Sequence, residues 1–398
     1  MTESFPSAAR DQTPLRRVNE LSVLAVLRGG AARPLREISD LTGLSFRSAQ
    51  VIAEALEGNG WLAEAEVGPG PGPGRRAVGR PARRYRFRAE AGHVVGLDVG
   101  THHVEVFVAD LAANVVGSHR TAVSPSDSAL TRLAAAESSL RRALKAARLK
   151  PADVWAAAMG TSGVIGPDGT VAASALLPGW SGLNPGLLLG AALPCPVEVA
   201  NDANLAALAE RWLGHGAQTM IYVLAGVRLG AGLVIGGQLH RGAAGAAGEI
   251  GALRDVGWHD AADRLAATAG GGGAGADRAQ AAARVFEAAR TGSPAAVTAV
   301  DRFAADLAGG ITAMALTVDP DLVVLGGGFS HAADLLLPRL EAELSTTLLH
   351  LPRLEASALG DDAVAHGALR LALDTVDART TSLDSTVALT PDAIRWGH

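Results

Sequence analysis

The chain of 398 residues is 48% hydrophobic and 19% charged, too long for one core and too apolar for wholesale disorder, so two or three folding units are expected. Its one cysteine, Cys195, excludes a disulfide framework and a multi-cysteine zinc site and fits a reducing compartment. The net charge of −5 hides an asymmetry, because residues 1–90 carry 14 arginines against 10 acids while the remainder is acidic.

The start of the chain lacks the apolar core of a signal peptide, which makes the cytoplasm the expected compartment. Leu15, Val18, Leu21, Leu24, Ala25 and Leu27 then recur at helical spacing up to Gly29-Gly30. Pro34 opens a short second helix with Leu35, Ile38 and Leu41 on one face, and Thr42-Gly43-Leu44 turns the chain. Ser45 is a fitting N-cap for a third helix that buries Ala49, Ile52, Ala53 and Leu56. Two helices joined by a short glycine-containing turn form a helix-turn-helix candidate, although a plain helical hairpin reads the same way.

In a helix-turn-helix, the exposed residues opening the second helix meet base edges in the major groove. They are Ser45, Phe46, Arg47, Ser48 and Gln50. Arg47 suits guanine, Gln50 adenine, Ser48 a phosphate and Phe46 a thymine methyl. A strand after Trp61-Leu62, a Gly/Pro-rich basic stretch and the alternating Tyr85-Arg86-Phe87-Arg88 complete a winged helix. Between Arg75 and Arg88 lie seven arginines and no acid, among them Arg80, Arg83 and Arg84, a density that suits a polyanion. Gly79-Arg80-Pro81 at the wing tip is shaped to place Arg80 in a narrow minor groove.

From residue 91 strands alternate with helices, which predicts an α/β domain. A strand over 93–98 ends in Asp98-Val99-Gly100 and is followed by a second with Val104, Val106 and Val108. An Ala/Leu/Arg-rich helix spans about 127–148, and the strand WAAAMG follows. Residues 169–197 are free of charge, but Pro178, Pro185, Pro194 and Pro196 break any membrane helix there, so no membrane association is expected.

Five segments in order carry a resemblance: Asp98-Val99-Gly100, Leu177-Pro178-Gly179-Trp180, Asn201-Asp202-Ala203-Asn204, Gly242 to Gly251, and Gly326-Gly327-Gly328. Over about 15–374 the chain resembles the ROK family, which unites sugar kinases and sugar-responsive repressors. The resemblance implies an N-terminal winged helix-turn-helix over 13–90 and a two-lobed actin-like ATPase/sugar kinase fold over 91–374. The implied lobes are about 91–212 and 213–374, and 375–398 is expected to be a loose tail. It implies that Asn201, Asp202 and Glu249 hold sugar hydroxyls, with Asp202 at the position of the kinases' general base. An Asn-Asp pair is equally a helix cap.

Several departures shape the functional expectation. The family kinases open with D-x-G-G-T-K, whereas this chain reads Asp98-Val99-Gly100-Thr101-His102-His103, and Arg228 replaces a glycine of the second phosphate loop. Ala252 stands where the family has a zinc-binding histidine, and the family's cysteine cluster is missing. His259, Asp255, Asp260 and Asp263 lie near but lack zinc spacing, so neither metal nor cofactor is expected. Arg228, His102 and His103 together suggest an anionic effector such as a sugar phosphate, set against the simpler reading of Arg228 as filler of an unused cleft.

The resulting expectation is a non-enzymatic transcription factor, most simply a repressor, bound to an inverted-repeat operator in double-stranded DNA as a homodimer or dimer of dimers. Its kinase-like domain is expected to dimerise and to sense a sugar or sugar phosphate. The alternatives are a ligand-independent DNA-binding protein and a sugar kinase with a fused DNA-binding domain.

Overall fold

The computed structural model describes residues 13–65, 83–270 and 276–396. Arg80, with the expected wing tip, lies outside the described residues. The chain separates into two units.

The first unit opens with α1 (Thr13–Arg28), β1 (Arg33–Pro34), α2 (Leu35–Thr42), α3 (Phe46–Gly58), β2 (Leu62–Ala65) and β3 (Arg84–Phe87). Gly43 ends α2 at φ 69°, a left-handed conformation that favours glycine. Ser45 caps α3, its hydroxyl accepting from the Ser48 amide at 3.1 Å. Val23, Leu27, Ile38, Ala49, Ala53 and Leu56 close a core between the three helices. The strands order β1-β3-β2, and β2 and β3 are antiparallel. Alternation buries Tyr85 and Phe87, and Phe87 stacks on Trp61 with ring centroids 6.1 Å apart. This is the winged helix-turn-helix arrangement; β1, two residues long, is too short to leave a periodic signal.

Residues 109–114 and 373–398 belong to this same unit. The expectation of a loose tail therefore needs correction. Leu389 and Ile394 are each 1% exposed, the Trp61 indole donates to the Leu389 carbonyl at 3.1 Å, and the Arg379 guanidinium lies 4.2 Å from the Trp396 ring centre. Burial of these apolar side chains, sparse in a polar segment, holds the segment down.

The second unit contains two five-stranded sheets. The first is built from β4 (His93–Val99), β5 (His103–Asp110), β6 (Val115–Ala122), β7 (Val154–Thr161) and, after the hairpin β8 (Val164–Ile165) and β9 (Val171–Ala173), β10 (Val197–Asn201). The second uses β11 (Met220–Ala225), β12 (Leu229–Ile235), β13 (Gln238–His240), β14 (Leu322–Gly326) and β15 (Arg353–Ala356). Numbered within each sheet, both have the order 3-2-1-4-5. In the second sheet β11 runs antiparallel to β12 and parallel to β14. Two lobes of one repeated topology, with helices covering central strands such as β4, β7 and β14 that are buried on both faces, define the two-lobed α/β fold.

The helices are α4 (Ala129–Ala146), α5 (Pro185–Gly190), α6 (Asp202–Leu213), α7 (Ala261–Ala267), α8 (Ala276–Arg290), α9 (Pro294–Val318), α10 (Ala333–Ser345), α11 (Ala363–Ser382) and α12 (Pro391–Ile394). A cluster of Phe286, Phe303 and Phe329, with edge-to-face centroid distances of 5.5–6.3 Å, anchors the second lobe. Helix α6 packs backbone to backbone: a Cβ at Gly232 on β12 would lie 2.4 Å from the Ala203 carbonyl oxygen, and one at Gly367 on α11 would lie 1.9 Å from that of Leu205. These contacts fix where the N-terminus of α6 points. Among the described residues no helix is long and apolar enough to cross a membrane.

Candidate functional site

The first candidate surface is the start of α3. Ser45, Phe46, Arg47 and Ser48 are all exposed there, as the capped turn dictates, and Gln50 is half-buried. Among the described residues Arg47 has no ion-pair or hydrogen-bond partner. Gln50 is committed within the helix, donating to Glu54 at 2.9 Å. The two described wing arginines are also committed. Arg83 lies 2.8 Å from Glu64 and 3.6 Å from Glu57, and Arg84 donates to the Ala32 carbonyl at 2.6 Å. Of the described sequence-predicted readers, Arg47 and Arg84 have no carboxylate partner, and Arg47 alone has no side-chain hydrogen bond either.

The second candidate surface gathers at the edges of the two lobes. Asn201 ends β10 and caps α6: its Oδ1 accepts from the Asn204 amide at 3.0 Å, and its Nδ2 donates to the Gly163 carbonyl at 3.0 Å. The cap reading of this residue is thus realised. Asp202 follows in the first turn of α6, with Oδ1 accepting the Ala203 amide at 2.8 Å. Burial, with the Asp98 and Glu249 carboxylates adding, pushes the Asp202 carboxyl up to about 7. Asp98, Asp202 and Glu249 therefore share one electrostatic neighbourhood. Glu249 is exposed, on a loop pressed against β12; a Cβ at Gly248, φ 86°, would lie 2.4 Å from the Ala231 carbonyl oxygen.

The loop between β4 and β5 closes on side chains of its own. His103 Nε2 lies 3.0 Å from Asp98 Oδ2. Burial works against a charged His103 ring, but the hydrogen bond and charge of Asp98 outweigh it and hold the pKa above its usual value. His102 is lowered, by burial first and then by the charges of His103 and Arg132. Below the loop, Arg132 is fully buried and donates to the carbonyls of Gly100 at 2.5 Å and Ser124 at 2.8 Å. Sequence reasoning missed it because an arginine on an Ala/Leu/Arg helix reads as solvated.

A cavity of about 900 Å³ opens beside this loop, lined among others by His102, His103, Arg120, Val227, Phe286 and Phe329. Its cations are compensated: His103 by Asp98, Arg120 by Glu105 at 3.6 Å and Asp362 at 3.5 Å, and Arg290 by Asp334 at 2.7 Å. Burial, with Asp362 adding and Arg120 opposing, pushes Glu105 up to about 7. Arg228 does not line the cavity; its guanidinium donates to the His259 carbonyl at 2.8 Å. The expected cluster of Arg228 with His102 and His103 is therefore not assembled on the cavity wall. This wall suits a polyphosphate poorly, because it has little free positive charge to offer.

In the loop that carries zinc in the family, Asp260 pairs with Arg264, and Asp263 pairs with Arg278 at 2.9 Å. Among the described residues no group of three or more His, Cys, Asp or Glu is placed to hold a metal ion.

With this geometry in place, the chain can be assigned a class: it belongs to the ROK family, whose model matches residues 94–375. It is 26% identical over 244 residues to the xylose repressor of Caldicellulosiruptor bescii, covering 61% of this chain and 59% of the length of that relative. Its fold matches a ROK family transcriptional regulator described as a homologue of the E. coli MLC protein, at 19% identity and TM-score 0.68 over 90% of this chain and 96% of the other. It also matches a ROK glucokinase from Streptomyces griseus in complex with glucose and AMPPNP, at 24% identity and TM-score 0.60 over 71% of this chain and all of the glucokinase. Relatives named as regulators and as kinases thus both lie within reach of this fold.

Proposed function

We propose that the protein is a DNA-binding transcriptional repressor whose kinase-like domain senses rather than phosphorylates. The observation that carries the reading is the winged helix-turn-helix with the free Arg47 guanidinium at the start of the Ser45-capped α3. The likeness to a xylose repressor supports it. The unit binds an operator inverted repeat as a symmetric dimer, Arg47 reading a base edge and Arg80 entering a narrow minor groove. Sugar binds at Asp202, Glu249 and Asn201, and shifts operator affinity by favouring one of two dimer states. Catalysis is disfavoured by His103 on Asp98 and by the compensated cleft.

The test is a DNA-binding titration at fixed salt, on the protein's own upstream region, with and without a panel of sugars and sugar phosphates, beside an assay for ATP-dependent sugar phosphorylation. Sequence-specific binding altered by a sugar and no phosphoryl transfer is the expected result. Turnover would establish the kinase instead. A second reading, ligand-independent DNA binding, is favoured by Asn201, whose amide oxygen and nitrogen are both engaged within the protein. Operator affinity indifferent to the whole panel would select it.

A further inference from the structure

The outer face of α3 carries more than polar readers. At about 100° per residue, Phe46, Gln50, Glu54, Arg47 and Val51 fall at about 0°, 40°, 80°, 100° and 140° around the helix. They form one continuous arc, opposite the buried Ala49, Ile52, Ala53 and Leu56. Phe46 and Val51 are each 54% exposed and stand at the two edges of this arc. A single exposed apolar side chain needs no explanation. Two that bracket an unpaired guanidinium on the same face form a pattern. The middle of the arc is already occupied, Gln50 donating to Glu54 at 2.9 Å and Arg83 approaching Glu54 at 3.9 Å.

We infer that Phe46 and Val51 read thymine methyl groups in the major groove, on either side of the base pair met by Arg47. The inference rests on the DNA-binding reading above and adds what the half-site contains. Charge selects the occupant: Arg47 and Arg36 on α2, both exposed and without an ion-pair partner among the described residues, offer cations for a polyanion. Chemistry selects the contact, because the thymine C5 methyl is the apolar group that bases display in that groove. Five residues of helix advance about 7.5 Å, close to two base steps of about 3.4 Å for a helix lying along the groove. The half-site therefore carries two thymines, about two base pairs apart, flanking the Arg47 contact.

The experiment first selects binding sites from random double-stranded DNA with the full chain, then replaces each thymine of the selected half-site by deoxyuridine, which removes only the methyl. Two positions are expected to weaken binding about threefold to fivefold each, the effect of one buried methyl, and the other thymines to be neutral. In Val51→Ala one of those positions loses its sensitivity, and in Phe46→Ala the other does. Both side chains are exposed, so melting temperatures stay at the wild-type value and the readout is free of misfolding. Neutral deoxyuridine at every position, or full methyl sensitivity retained in both variants, overturns the inference while leaving DNA binding intact. Failure to enrich any site overturns the DNA-binding reading and this inference with it.

Discussion

His103 sits on Asp98, ring nitrogen to carboxylate oxygen, at 3.0 Å. The first residue of β5 thus holds the carboxylate near the end of β4. The pair has a pH signature. A His pKa raised in the folded state stabilises the fold fully below the unfolded value of about 6.5, and that stability is lost as pH rises through the folded value. Glu105 and Asp202, raised to about 7, act in the same direction, since the fold prefers their protonated forms. His102 and His366, both lowered by burial, act in the opposite direction, but the three raised groups outnumber them, and the melting temperature of the second unit is expected to fall from pH 5.5 to pH 8.5. Glu105→Gln should gain about 1–2 kcal/mol over wild type at pH 8 and nothing near pH 4, as read by urea denaturation at the two pH values.

Asp202→Asn separates a stability role from a sensing role. Asparagine keeps an oxygen for the Ala203 amide and removes a charge that Asp98 and Glu249 oppose. The variant should melt higher than wild type at pH 8, by an equivalent of about 1 kcal/mol once the partial exposure of the group is allowed for. If the sugar reading holds, its operator affinity no longer responds to the effector.

Arg47→Ala should weaken binding to a selected site at least about fivefold, the loss of about 1–3 kcal/mol from one bidentate base contact, and leave binding to random DNA nearly unchanged. Equal losses on both substrates would assign Arg47 to the phosphate backbone. Ser45→Ala tests the turn beneath it: loss of the cap on the Ser48 amide costs about 1 kcal/mol, measurable by chemical denaturation.

Leu389→Ala should destabilise the first unit by about 2–4 kcal/mol, the range for truncating a buried leucine, although the residue lies more than three hundred positions from α1. The fluorescence of Trp61, whose indole donates to the Leu389 carbonyl, reports the same unfolding. An unchanged melting curve would mean that the segment adds nothing to the unit.

How much of this was legible in the sequence depended on whether the signal was local. The second and third helices and their turn were legible because Gly43 and Ser45 stop and start helices by backbone chemistry, and because Ala49, Ile52, Ala53 and Leu56 repeat at 3.6-residue spacing. Tyr85 and Phe87 announced the wing strand by alternation. The packing of Leu389, Ile394 and Trp396 was illegible, since three apolar residues in a polar stretch gain meaning only from partners far along the chain. Asn201 and Asp202 stood out by their motif, and the cap they form at the start of α6 is local chemistry. The buried Arg132 was hidden, because the Gly100 carbonyl that it reaches lies 32 residues earlier in the chain. The direction of Arg228 was equally hidden, as its partner is a main-chain oxygen that any residue would supply.

The placement of residues 373–398 in the first unit has a consequence for biosynthesis. A ribosome makes the three helices and the wing first, yet Trp61 must wait for Leu389 before its indole is satisfied and covered. Nascent chains shorter than this carry an unfinished N-terminal unit, and it is completed only when translation has passed Ile394.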